Sequence, residues 1–109
     1  MDYSVIPISN FKREAMRLIK KFPSLKQELL HLEDILNNNP TFGTKLTKNC
    51  YKIRLAIAAK NKGKSGGARV ITHIHIQGST VFLLSIYDKS EREDIDDDEI
   101  IDLLKELPL

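Results

Sequence analysis

CYKIRLAIA, residues 50–58, decides the fold. Tyr51, Ile53, Leu55 and Ile57 alternate there with Lys52, Arg54 and Ala56, the period-two pattern of a strand with one face in a core and the other in water. Beyond a Gly- and Lys-rich loop, NKGKSGG (61–67), the stretch ARVITHIHIQ (68–77) sets Val70, Ile74 and Ile76 on one face. Arg69, Ile71, His73 and His75 fall on the other. Gly78-Ser79 is a tight-turn signal, and TVFLLSIY (80–87) is apolar on both faces, as a strand with neighbours on both sides must be. These three strands predict an antiparallel meander.

The flanking segments supply its cover. YSVIPI (3–8) is short and β-branched and reads as a first strand, with Pro7 marking an edge because proline cannot donate to a ladder. Phe11, Ala15, Leu18, Ile19 and Phe22 recur at helical spacing, with Ser9 or Asn10 available as N-cap. A second helix carries Leu25, Leu29, Leu32 and Leu36, opens on a Ser24/Gln27 capping-box spacing and stops at NNNP, 37–40. The join between the helices is so short that they must be neighbours with apolar stripes to bury. Ile100, Leu103, Leu104 and Leu107 then predict a short C-terminal helix, with acidic residues where the helix dipole favours them. The expected fold class is α+β in one domain, 1–109: an N-terminal strand, a two-helix hairpin, a three-stranded antiparallel meander and a short C-terminal helix.

With 109 residues, 41% hydrophobic and 29% charged, the chain has the composition of an ordinary globular domain. No segment approaches the roughly 20 apolar residues of a membrane span, and the N-terminus lacks the basic-then-apolar pattern of a signal peptide, so a cytoplasmic location without a membrane partner is expected. Cys50 is the single cysteine and reads as a small buried or half-buried residue. The net charge of +2 hides an asymmetry: residues 1–70 hold 14 Lys/Arg against 5 Asp/Glu, whereas residues 71–109 hold 3 against 10. Eight basic residues and no acidic one lie from Lys45 to Arg69, a local field suited to a polyanion.

Lys52 and Arg54 leave one sheet face, about 6 to 7 Å apart along the strand. A hairpin register that sets Arg69 beside Arg54 would gather three cations, a cluster suited to a phosphodiester. His73 and His75 share a face but have no third ligand nearby in sequence, and His31 lies mid-helix among leucines, so no metal site is expected and a histidine is at most a proton carrier. GKSGG lacks the strand–loop–helix context and spacing of a nucleotide loop. The acidic run Asp96, Asp97, Asp98 and Glu99 reads as a solvated helix start.

Four motifs in order and spacing carry a family resemblance: NNNPTFGTKL (37–46), CYKIRL (50–55), ARVIT (68–72) and VFLLSIYDKSER (81–92). With the strand, helix, helix, meander, helix order, the chain resembles the RelE/ParE toxins of bacterial toxin–antitoxin pairs over nearly its whole length. The resemblance implies a cofactor-free mRNA endoribonuclease acting on the ribosome and inhibiting translation, held inactive by a cognate antitoxin protein. It implies catalytic roles for Lys52, Arg54, Arg69 and Lys89. The RNA's own 2′-OH would attack the adjacent phosphate and leave a 2′,3′-cyclic phosphate. Lys52 or Arg54 would activate or hold that nucleophile, Arg69 would clamp the phosphate, and Lys89 or Arg92 would assist the leaving oxygen. Substrate contacts are expected from Lys60, Lys62, Lys64, His73, Tyr87 and Arg92. The chain departs from the family near its C-terminus, where Ile95 and the acidic run replace the usual tyrosine or histidine; Tyr87 and His73 are the candidates for that role. The alternatives are a ParE-like toxin that binds DNA gyrase without catalysis, and a protein of this fold that is not toxic.

Overall fold

The computed structural model describes residues 2–58 and 66–109. The described elements run β1 (Ser4–Pro7), α1 (Ser9–Lys21), α2 (Leu25–Asn38), β2 (Thr44–Lys45), β3 (Cys50–Leu55), β4 (Ala68–His75), β5 (Thr80–Asp88) and α3 (Asp97–Leu104). The described strands form one five-stranded sheet in the order β1-β5-β4-β3-β2. The antiparallel meander β3-β4-β5 is its centre, β1 joins β5 in parallel, and β2 extends the far edge. The architecture is α+β, as the sequence predicts, with one strand more than expected.

Every residue of β5 is buried, consistent with its apolar run and its two neighbours. Pro7 ends the β1 ladder at the sheet edge, and helix α1 takes over where β1 stops. The Ile8 N–H donates to Leu83 O at 3.1 Å, Asn10 Nδ2 to Leu84 O at 3.0 Å, and the Ile86 N–H to Glu14 Oε1 at 3.3 Å. Glu14 Oε1 also accepts from Ser85 Oγ at 2.8 Å and from Asn10 Nδ2 at 2.9 Å. The register of β4 on β5 shifts between Ile71 and Thr72, so Leu84 is passed over in a bulge and this side-chain network meets the backbone there.

Several local expectations are corrected. Ile8, not Ser9 or Asn10, is the N-cap of α1, without a side-chain cap bond; Asn10 is drawn away to the β5 edge. Ser24 is itself helical and makes no cap bond; in the tight join the Leu25 and Lys26 N–H groups donate to Phe22 O and Pro23 O. Ile76, expected on the apolar face, is exposed, since β4 ends at His75 and the turn begins. Strand β2 had no sequence signal: its hairpin to β3 turns through Lys48 and Asn49, both at positive φ (53° and 59°), the geometry of a type I′ turn without the usual glycine. The acidic start of α3 is as read, with the Asp96 side chain capping the Glu99 N–H.

One buried cluster joins Phe11, Leu18, Leu25, Leu32 and Leu36 of the helices to Ile53, Val70, Ile86 and the other sheet residues, with Ile95, Ile100 and Leu103 from the C-terminal segment. Among the described residues no helix is long and apolar enough to cross a membrane.

Candidate anion-binding face and adjoining cavity

The register of β3 on β4 pairs Arg54 with Arg69 and Lys52 with Ile71, and β4 on β5 pairs Arg69 with Tyr87. Residues directly opposite in a sheet share a face, so Lys52, Arg54, Arg69 and Tyr87 lie together at one end of the meander. Gly43 helps set Lys52: at φ 112° its backbone passes so close that a Cβ would lie 2.6 Å from Lys52 O, a place only glycine fills.

The four side chains differ in environment. Arg54 is exposed. Arg69, expected on an open face, is only 3% exposed, and its Nη1 donates to Ala68 O at 3.1 Å. The sheet face is covered here by the chain that follows β5. Tyr87 is 4% exposed, and burial, reinforced by Asp94, pushes its phenol up to about 12, so at neutral pH it is a proton donor. Lys52 pairs with Asp94 Oδ1 at 3.3 Å, and the Tyr87 hydroxyl donates to the same oxygen at 3.4 Å. Asp94 is held below its ordinary carboxylate range, first by the Ile95 N–H and then by Lys52 and Tyr87. One acidic oxygen therefore sits between two groups of the candidate site.

Arg92 lies 5.4 Å over the Tyr87 ring, donates to Glu99 through its two terminal guanidinium nitrogens and through Nε to Asp94 O. This fixes the turn after β5 to the first turn of α3. Lys89 follows β5 directly, and its N–H donates to Gly67 O at 3.0 Å, which brings it to the β4 end that carries Arg69. His73 shares the face but stands four residues along β4, about 13 Å away at strand rise. Its Nδ1 engages Lys48 O at 2.9 Å and approaches Cys50 Sγ at 3.7 Å, and burial lowers its pKa. His73 is thus a neutral group of the β2–β3 turn, away from the cations. Burial pushes the Cys50 thiol up to about 11, in keeping with a core residue. Among the described residues no group of three or more His, Cys, Asp or Glu is placed to hold a metal ion. Lys60, Lys62 and Lys64 lie outside the described residues.

Two cavities adjoin the cations. One of about 210 Å3 is lined by Phe42, Gly43, Thr44, Lys52, Ile53 and Arg54. The other, about 230 Å3, is lined by Glu28, His31, Leu32, Ile35, Phe42, Arg54 and Leu55. Phe42 and Arg54 are common to both. Sequence reasoning passed over Glu28 and Phe42 and set His31 aside as a mid-helix residue, yet a signal existed: Glu28, His31, Leu32 and Ile35 follow the i, i+3, i+4, i+7 spacing of one helix side.

A mixed sheet backed by helices, with cations gathered at one end of a meander, defines an α+β domain with Lys52, Arg54 and Arg69 on one sheet face. The sequence profile described as the RelE toxin of the RelE/RelB toxin–antitoxin system matches residues 10–107. The chain belongs to this toxin family. Among solved structures it is similar to the Escherichia coli toxin RelE, in a double arginine-to-alanine variant in the free state: 16% identity, a TM-score of 0.60, and coverage of 97% of this chain and 94% of that one. That likeness is one of fold. No curated protein sequence matches the chain.

Proposed function

We propose that this toxin is an endoribonuclease that cleaves messenger RNA on the ribosome and is silenced by a cognate antitoxin. The observation that carries the reading is the direct pairing of Arg54 with Arg69, with Lys52 two residues along the same strand. Cations gathered on one sheet face make a local field suited to a phosphodiester.

The chemistry then follows from the groups available. The RNA's 2′-OH attacks the adjacent phosphorus, held or activated by Lys52 or Arg54. Charge building on the phosphate oxygens meets Arg54 from solvent and Arg69 from beneath. A 2′,3′-cyclic phosphate forms as the bond from phosphorus to the 5′ oxygen breaks; the 2′-OH proton passes to solvent, and the 5′ oxygen takes a proton from Lys89 or the Tyr87 phenol, assisted by Arg92, which stays a cation. Of these Tyr87 is the best placed to stand in for the family's C-terminal tyrosine or histidine: it lies opposite Arg69 and remains protonated at neutral pH. Because the nucleophile belongs to the substrate, the reaction needs no cofactor.

Expression of the chain alone in a bacterial host, with primer extension on a defined message, tests the reading. Discrete new 5′ ends inside the reading frame that vanish in the Lys52→Ala/Arg54→Ala/Arg69→Ala variant are expected. Growth arrest with intact messages would overturn it and point to a DNA gyrase target.

A further inference from the structure

We infer that the 230 Å3 cavity between α2 and β3 is a nucleobase pocket, and that it selects guanine. The inference rests on the ribonuclease reading only for the class of substrate. Its volume falls below the roughly 300–1,000 Å3 of sites for drug-sized ligands, which leaves room for a single heterocycle. Its lining is mixed in a particular way: Leu32, Ile35, Leu55 and Phe42 are apolar, and Glu28, His31 and Arg54 are polar. An unstacked base needs such a surface, an aromatic side chain to lie against and a few hydrogen-bonding groups at its edges.

The polar groups point to one base. Glu28 is half-buried and is engaged in no hydrogen bond or ion pair among the described residues. An ionised carboxylate only accepts. Guanine alone offers it two adjacent donors on one edge, N1–H and the exocyclic amine. Adenine and cytosine set one amine beside an acceptor nitrogen, and uracil flanks its single N–H with two carbonyl oxygens that a carboxylate repels. Arg54 is exposed and likewise unengaged among the described residues, and a guanidinium matches the O6/N7 edge of guanine or a phosphate. Because Arg54 lines both this cavity and the one that holds Lys52, a nucleotide whose phosphate rests on Lys52 and Arg54 can direct a base into the slot beside it. His31 adds one further donor or acceptor.

Titration of the purified chain with GMP, AMP, CMP and UMP tests the inference without requiring cleavage. GMP is expected to bind at least about tenfold more tightly than the other three, the discrimination of one good two-bond contact. In Glu28→Gln the preference should collapse, because an amide N–H2 then faces the guanine donors, while Glu33→Gln on another side of α2 should retain it. Arg54→Ala should weaken all four nucleotides through the shared phosphate. Equal binding of the four, no binding of any, or a guanine preference that survives Glu28→Gln would each overturn the inference. Cleavage sites with no guanine bias would sink this pocket and leave the ribonuclease reading intact. Guanine-selective binding without cleavage would do the reverse.

Discussion

Helices α1 and α2 each turn a glutamate toward the sheet, and the two carboxylates meet opposite circumstances. Glu14 accepts from Asn10, Ser85 and the Ile86 N–H, closing the edge of β5 where β1 ends. Glu28 lines a cavity with His31 and Arg54 and accepts from nothing among the described residues. A carboxylate that completes a sheet edge is part of the fold. One held over a largely apolar slot beside the exposed Arg54 contributes little to folding and is available to a ligand. Residue type is the same in the two, and the partners differ.

Replacing Glu14 with alanine is the most disruptive test of that contrast. It leaves a buried backbone N–H and the Ser85 hydroxyl without their acceptor, so unfolding in urea should show a loss of about 2–3 kcal/mol. A loss below about 0.5 kcal/mol would erase the distinction between the two glutamates.

The Tyr87 phenol gives the next largest effect. A raised folded-state pKa contributes stability that is fully present below the ordinary value of 10.0 and is lost as pH rises toward about 12. The thermal midpoint should therefore fall across that alkaline window in the native chain, and much less so in Tyr87→Phe. A phenolate absorbance titrating near 10 with all three tyrosines equivalent would contradict the burial described for this face.

Asp94 should give a smaller change of opposite pH sense. Its depressed pKa contributes stability above the ordinary carboxylate range that disappears as pH falls through the folded value. Because its side chain is 61% exposed, the pair with Lys52 is worth no more than about 1 kcal/mol. Asp94→Asn should accordingly cost little stability and, by releasing Lys52, raise the affinity for a short RNA oligonucleotide by up to about fivefold. Unchanged affinity would mean that the carboxylate does not compete for the phosphate seat. At the small end, Glu28→Ala should leave stability within about 0.5 kcal/mol of the parent, and a larger loss would show Glu28 to be structural like Glu14.

Most of the fold was legible because its elements are written in hydrophobic period. The alternation through Ile53, the two-faced apolar run of β5 and the leucine stripes each imply one partner surface, and together they leave few arrangements. What escaped has no such period. Strand β2 depends on Lys48 and Asn49 accepting positive φ, and the caps of α1 and α2 are set by what Asn10 and the short join touch. The candidate site was read in part. The cations of β3 and β4 were nameable from spacing and resemblance, but His73, which shares their face, is taken up by the turn carbonyl of Lys48.

The sequence by itself determined the α+β class, the interior place of β5, the edge position of β1 and the run of basic residues on β3 and β4, because burial pattern and charge are local properties of the chain. Tertiary structure alone decided that Arg69 is buried beside an exposed Arg54, that Asp94 lies between Lys52 and Tyr87, and that Glu28, His31 and Phe42 close a pocket against β3. Those facts depend on register and on which segment covers which face. Contacts between residues tens of positions apart are set by the packing of the whole domain and by no local pattern.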